Sequence, residues 1–390
     1  MITLGKNGLT MPPAVGDHAP AFRSDLSTHR LCQQLMEPFS HGNNEAVFSQ
    51  SGGFIQFTET LCKHYIRMAL ERMGWQAKAR AMITTRELMD KLSIQEAHFR
   101  LANRLLGLIA EYDDGIWRVC DYDAGECINR LMADAKIRFP NAQIELALLE
   151  RCGSNLPAVL AGQIDALELL FSRQGSPTPE HLYRNGSVAR LLNRTLADAV
   201  YSVLQEFDAR PGLRVLEIGA GTGAATQSIV PTLGEGVLEY FFSDLSQGLV
   251  EKARQEFGQW GFMSFGRLDI EQAIDTQGFS ENSFNIVIAA NVLHATKDLI
   301  QAIENVRQLL APGGTLVLLE GTRRQAWQDL IFGLLPGWWR FEDSVRTDYP
   351  LISVDDWVSI LKQSGFEDTA GFVPHLQLGQ AVLLAAKSFR

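Results

Sequence analysis

The chain has 390 residues, room for two to three domains at a typical domain size of about 150 residues, and its 46% hydrophobic and 21% charged residues are those of a globular protein with real cores. No apolar run approaches the roughly eighteen residues of a membrane span. Residues 1–20 lack the basic stretch and apolar block of a secretory signal, and Cys32, Cys62, Cys120, Cys127 and Cys152 fit neither a metal-ligand nor a disulfide spacing, so a reducing, cytoplasmic location without a metal site is expected. The net charge of −10 lies almost wholly in residues 206–390, where 14 Lys/Arg face 23 Asp/Glu; that half repels a polyanion, and a nucleic-acid partner is not expected.

Residues 1–40, rich in Pro, His and Ser, show no sustained period and read as a leader or linker. Residues 41–206 read as a mainly helical domain. Ile55–Trp75 predicts a helix closing at Gly74. Thr84 with Glu87 and Ser93 with Glu96 have capping-box spacing, each opening a helix. Leu101, Leu105 and Ile109 form one apolar stripe, and Gly115–Cys120 reads as extended, so this stretch has a winged-helix-like order. Without a basic recognition stripe, that shape is expected to pack rather than to bind DNA. Further helices are expected at Gln143–Arg151, Leu156–Leu170 and Ser187–Glu206.

From residue 207 the period changes. Short apolar runs at Leu213–Gly219, Val237–Asp244, Met263–Asp269, Phe284–Asn291 and Thr315–Glu320 alternate with amphipathic helices such as Asp298–Leu310. Asp368–Val373 and Gln380–Ala386 supply two closing strands. The expectation is an α/β fold: a doubly wound, Rossmann-like core of seven strands behind an N-terminal helical domain.

The chemistry is expected at the strand ends. Glu217-Ile218-Gly219-Ala220-Gly221-Thr222-Gly223 carries a buried strand through three alternating glycines into a helix, where a Cβ would collide with a ligand lying across the strand end. With Ala224 it also satisfies the looser dinucleotide pattern, so both S-adenosylmethionine and NAD(P) fit the spacing. Glu217 is placed to reach a cationic amino acid or to order the loop. Asp244 ends the second strand, where an acid binds ribose hydroxyls. Asp269 ends the third, where it can accept an adenine amine between Leu268 and Ile270. Asn291 and His294 follow the fourth strand, and Glu320 ends the fifth. A carboxylate behind an imidazole at neighbouring strand ends makes a general base. Phe332, Trp338 and Trp339 lie in a Gly- and Pro-containing connection suited to roofing an apolar substrate pocket or to packing between domains. Tyr183 is expected to reach the same crevice, whereas Arg184, Arg190 and Arg194 read as solvated helix surface.

These residues resemble the methyltransferase domains embedded in polyketide synthases, chiefly the C-methyltransferases. The resemblance spans residues 50–390. It rests on Glu217–Gly223, Phe242-Ser243-Asp244-Leu245-Ser246, Arg267-Leu268-Asp269-Ile270-Glu271, Asn291-Val292-Leu293-His294-Ala295-Thr296, Leu318-Leu319-Glu320 and Gly333–Phe341. Leu146–Leu156 and Leu182-Tyr183-Arg184 are similar to the family's helical lid. The resemblance implies an S-adenosylmethionine-dependent enzyme that methylates the α-carbon of an acyl thioester on an acyl carrier protein, among neighbouring synthase domains. It further implies that His294 and Glu320 form the dyad, that Tyr183 is the lid tyrosine, and that Leu245, Ile270 and Asn291 help hold the cofactor. O-methylation of a carrier-bound chain and a non-catalytic scaffold role are the alternatives; the scaffold's expected marks, a damaged glycine loop or a missing base, are absent.

Overall fold

The computed structural model of the chain describes residues 27–40, 45–122, 127–171, 177–207, 212–234 and 236–389. The N-terminal part carries α1 (Thr28–Ser40), α2 (Glu45–Arg72), β1 (Met82–Ile83), α3 (Thr85–Leu92), α4 (Phe99–Ile109), β2 (Ala110–Asp113), β3 (Ile116–Val119), α5 (Ile128–Arg138), α6 (Gln143–Leu160), α7 (Ala166–Phe171), α8 (Pro179–Asn185) and α9 (Ser187–Gln205). The C-terminal part follows with β4 (Leu213–Ile218), α10 (Ala224–Ile229), β5 (Val237–Asp244), α11 (Gln247–Phe257), β6 (Met263–Arg267), β7 (Phe284–Ala290), α12 (Leu299–Leu309), β8 (Leu310–Gly321), α13 (Ala326–Ile331), α14 (Val354–Gln363), β9 (Phe366–Phe372) and β10 (Gln380–Lys387).

The winged-helix order is present: β1, β3 and β2 form a small antiparallel sheet beside α3 and α4, and Leu101, Leu105 and Ile109 are buried on one face of α4. The Thr84–Glu87 capping box forms, with the Glu87 N–H donating to Thr84 Oγ1 at 3.1 Å. The one expected at Ser93–Glu96 does not. Ser93 adopts a left-handed φ of 54° and closes α3, and α4 opens only at Phe99 after a single 3₁₀ turn. The break expected after Arg151 is also absent. Asn155 Nδ2 donates to the Arg151 carbonyl within a continuous α6, and Gly153 lies against the Tyr65 ring, where a Cβ would come within 2.4 Å. That glycine serves close approach of α6 to α2, not helix termination.

Two boundaries move. Residues 28–40, inside the expected leader, form α1, which buries Leu31, Cys32 and Leu35 in the core on one face of the large sheet; residues 1–26 of that reading lie outside the described residues. The Thr28 N–H donates to Asp368 Oδ2 at 2.6 Å, tying α1 to β9. α9, expected at the end of the helical domain, packs on that same sheet face through Leu192, Leu196 and Val200.

The large sheet has the order β6-β5-β4-β7-β8-β10-β9. The first five strands are parallel, and β10 pairs antiparallel with β8 and β9. The chain steps outward from β4 to β6, then crosses back to β7. The β4–β7 boundary is therefore the topological switch point, where strand ends diverge and leave a crevice. β4 is buried along its whole length because helices cover both faces. After β8 the chain leaves the sheet and packs into the N-terminal core through Leu330, Leu334, Trp339, Phe341 and Tyr349. A buried ion pair, Arg104 Nε to Asp329 Oδ2 at 2.8 Å, fixes this segment to α4, and Tyr349 Oη donates to the other Asp329 oxygen at 2.6 Å.

Candidate active site

β4 runs into the glycine loop. Gly219 has φ 57°, and a Cβ there would meet Val292 at 2.7 Å, so only glycine lets the β7 end approach. At Gly221 a Cβ would meet nothing closer than the Gly219 carbonyl at 3.7 Å; a side chain would fill the open space before the strand end. Asp244 frames that space, its Oδ2 accepting from the Gly221 N–H at 2.9 Å and its Oδ1 from the Ser246 N–H at 2.8 Å. Leu245 is exposed beside it. Asp269 stands half-buried at the next strand end, where its Oδ1 accepts from the Glu271 N–H. Leu268 and Ile270, expected to flank a ring, are buried in the same core as Phe241 and Phe279. Glu217 turns away from the loop into the sheet. Thr226 and Tyr240 hydroxyls both donate to its Oε2, at 2.5 and 2.7 Å, whereas Oε1 is buried without a partner. Burial pushes this carboxyl up to about 7.

The fifth and fourth strand ends meet as the topology requires. Glu320 is fully buried, and its Oε1 accepts from the N–H groups of Val292 and Leu293 at 3.0 and 2.8 Å. Its Oε2 lies 2.7 Å from His294 Nδ1. The carboxylate thus holds both the backbone turn that carries the histidine and the ring itself. His294 Nε2 makes no hydrogen bond among the described residues. Asn291, at φ 56°, donates from Nδ2 to Gln380 Oε1 at 3.3 Å.

His294 and Asn291 line a cavity of about 140 Å³ between the sheet and the helical domain, together with Tyr183, Phe332 and Trp338. The rings of Tyr183, Phe332 and Trp338 form a stacked series with centroid spacings of 5.9 and 6.0 Å, and Trp338 meets His294 edge-on at 5.4 Å. Tyr183 opens 37% of its surface, yet its hydroxyl is pushed up to about 12 by the surrounding protein and by the charge of Glu320. Trp339, expected in the roof with its neighbour, is corrected to a packing position: it is buried in the N-terminal core, its Nε1 donating to the Gly333 carbonyl at 2.7 Å, and it does not line the cavity. Arg184 is also not free surface; its guanidinium donates to the Thr222 carbonyl in the glycine loop and pairs with Glu256.

Several residues at the site have no signature in the sequence. Arg346 is buried, pairs with Asp343, and donates to the His294 and Thr296 carbonyls at 2.6 and 2.8 Å, clamping the turn from behind. Gln325, Gln380 and Glu145 line the cavity. Their spacing follows neither a helix face nor a motif, because distant segments bring them together. Among the described residues, no group of three or more His, Cys, Asp or Glu is arranged to hold a metal, and no helix is long and apolar enough to cross a membrane.

A dinucleotide enzyme of this topology carries a second mononucleotide half after the fifth strand. Here β9 and β10 close the sheet as a hairpin instead, with β10 alone antiparallel to the other six strands, which defines the class I, S-adenosylmethionine-dependent methyltransferases. The open glycine cradle and the acids at the β5 and β6 ends fit that cofactor. Residues 216–316 match the family model described as "Methyltransferase domain". The chain is similar to the CurJ carbon methyltransferase, at 34% identity over 93% of this chain and 100% of that one, with a TM-score of 0.84. It is also similar to the citrinin polyketide synthase CMeT domain, at 26% identity over 93% and 97% of the two chains, with a TM-score of 0.82. Among curated proteins, it is 31% identical over 337 residues to the non-reducing polyketide synthase Preu3 of Preussia isomera, covering 83% of this chain and 13% of that protein. The chain belongs to the methyltransferase domains of polyketide synthases. It spans 6% to 14% of the length of the curated relatives it matches.

Proposed function

We propose that this domain methylates the α-carbon of a β-ketoacyl thioester delivered on an acyl carrier protein by neighbouring synthase domains. The observation that carries the reading is the His294–Glu320 pair, 2.7 Å apart, on the wall of an aromatic-lined cavity. When bound, S-adenosylmethionine would supply an electrophilic sulfonium methyl, the S–CH₃ electron pair returning to sulfur as the substrate's α-carbon bonds to the methyl. Gly219, Gly221 and Gly223 would cradle its amino-acid end, Asp244 would accept its ribose hydroxyls and Asp269 its adenine amine, with Leu245, Ile270 and Asn291 at the margins, while Glu217 would act only from beneath, through Thr226 at the start of α10.

A carbon between a ketone and a thioester is acidic enough for a positioned imidazole to deprotonate. With Nδ1–H donated to Glu320, Nε2 of His294 accepts the α-proton, and the carboxylate stabilises the resulting imidazolium. The Tyr183 hydroxyl donates to the enolate oxygen, and the Asn291 amide is the second donor available. Phe332 and Trp338 exclude water from the carbanion's path.

The test is intact-protein mass analysis of β-ketoacyl and simple acyl carrier proteins incubated with S-adenosylmethionine, comparing wild type with His294→Ala. A gain of one CH₂ on the β-ketoacyl chain, lost in the variant while cofactor affinity persists, is the expected result. Methyl carbon bound to oxygen, read by NMR with a ¹³C-labelled methyl, would instead establish O-methylation. No gain on any chain despite tight cofactor binding would overturn the reading and favour a scaffold role.

A further inference from the structure

Glu145 sits in the first turn of α6, where an acid normally faces water and interacts with the helix N-terminus without being buried. Here it is only 5% exposed and lines the same cavity as His294. Its Oε2 is buried and has no hydrogen-bond partner. The Gly186 turn closes beside the carboxyl; a Cβ on Gly186 would lie 3.3 Å from Glu145 Oε1 and 2.6 Å from the Leu182 carbonyl, so no side chain fits there. Burial raises the carboxyl's pKa, offset only in part by a hydrogen bond from its own backbone N–H. A buried carboxyl oxygen left without a partner is destabilising, a cost that an apolar side chain would avoid.

We infer that Glu145 is a substrate-binding residue whose carboxyl hydrogen-bonds a neutral polar group of the bound thioester, away from the reacting carbon. The inference rests on the proposed thioester substrate. Glu145 reaches the cavity from α6, whereas His294, backed by Glu320, reaches it from the β7 and β8 ends. Buried among apolar and amide-bearing side chains of the cavity, the carboxyl suits an uncharged partner: a carbonyl, hydroxyl or amide. Two sources present that chemistry, an amide of the carrier's pantetheine arm and an oxygen substituent farther along the acyl chain.

The experiment compares wild type, Glu145→Gln and Glu145→Met. Steady-state methylation is measured on a β-ketoacyl carrier protein, on a simple alkyl β-ketothioester without pantetheine amides, and on a carrier-bound β-ketoacyl chain oxygenated beyond the keto group. Thioester binding is measured by calorimetry with S-adenosylhomocysteine present, together with Tm and cofactor affinity. Glu145→Met should raise KM and thioester Kd about tenfold, with kcat, cofactor affinity and Tm held or Tm raised, and Glu145→Gln should restore most of the affinity. A penalty that vanishes on the amide-free thioester assigns the pantetheine arm; one confined to the oxygenated chain assigns the acyl group. Glu145→Met binding every thioester as wild type does, or losing Tm and kcat together while KM stays fixed, overturns the inference. If wild type methylates no thioester, the proposed reaction fails separately, and the calorimetric comparison still decides whether Glu145 contacts bound thioester.

Discussion

Replacing Glu320 with glutamine would expose the logic of the dyad, because three donors converge on two carboxylate oxygens. The N–H groups of Val292 and Leu293 take Oε1, and His294 takes Oε2. An amide has one oxygen. If that oxygen faces the backbone pair, the NH₂ donates to Nδ1, so the ring proton moves to Nε2 and the base can no longer accept one. If the oxygen faces His294, the NH₂ confronts two buried N–H donors. The second arrangement leaves unsatisfied buried donors at about 1–3 kcal/mol, so the first should dominate. The expected result is a fall in kcat of about 10²–10⁴, the usual worth of a general base, with S-adenosylmethionine affinity within about twofold of wild type. Single-turnover mass analysis of a saturating β-ketoacyl carrier protein measures the rate, and calorimetry measures the cofactor. Glu320→Gln turning over within about threefold of wild type would refute the assignment of proton removal to His294 through this carboxylate.

Other consequences are separable. Glu217 has a folded pKa near 7, above its ordinary 4.5, so the stability it contributes is full below pH about 4.5 and lost as pH rises through about 7. Denaturant melts from pH 4 to 8 should show a decline of roughly 3 kcal/mol from this group, flattened in Glu217→Gln. Arg104→Met leaves Asp329 buried without its cation and should cost about 3–5 kcal/mol in chemical denaturation. Trp339→Ala should lose about 3–5 kcal/mol of stability. Trp338→Ala, at the cavity wall, should chiefly raise KM for the acyl chain, and equal stability losses in both tryptophan variants would contradict the separation of their roles.

Much of the architecture is legible because it depends on neighbours in sequence. The alternation of apolar strands and amphipathic helices, the glycine loop after β4 and the acids at the β5 and β6 ends are local patterns, and the seven-stranded sheet follows from them. The proximity of His294 and Glu320 was also inferable, since adjacent parallel strands must end side by side. Local pattern fails where one residue type satisfies two environments. Ser93 carries the sequence of an N-cap but terminates a helix, and Gly153 looks like a break but lets two helices touch. Residues 28–40 read as leader because their few apolar positions are unremarkable until β9 and α9 supply a surface for them. The choice between Trp338 and Trp339 as the pocket wall, the Arg346 clamp on the histidine turn and the unpartnered Glu145 carboxyl arise only when distant segments pack. Burial and hydrogen-bond satisfaction belong to that packing, so these features were decided by the tertiary structure alone.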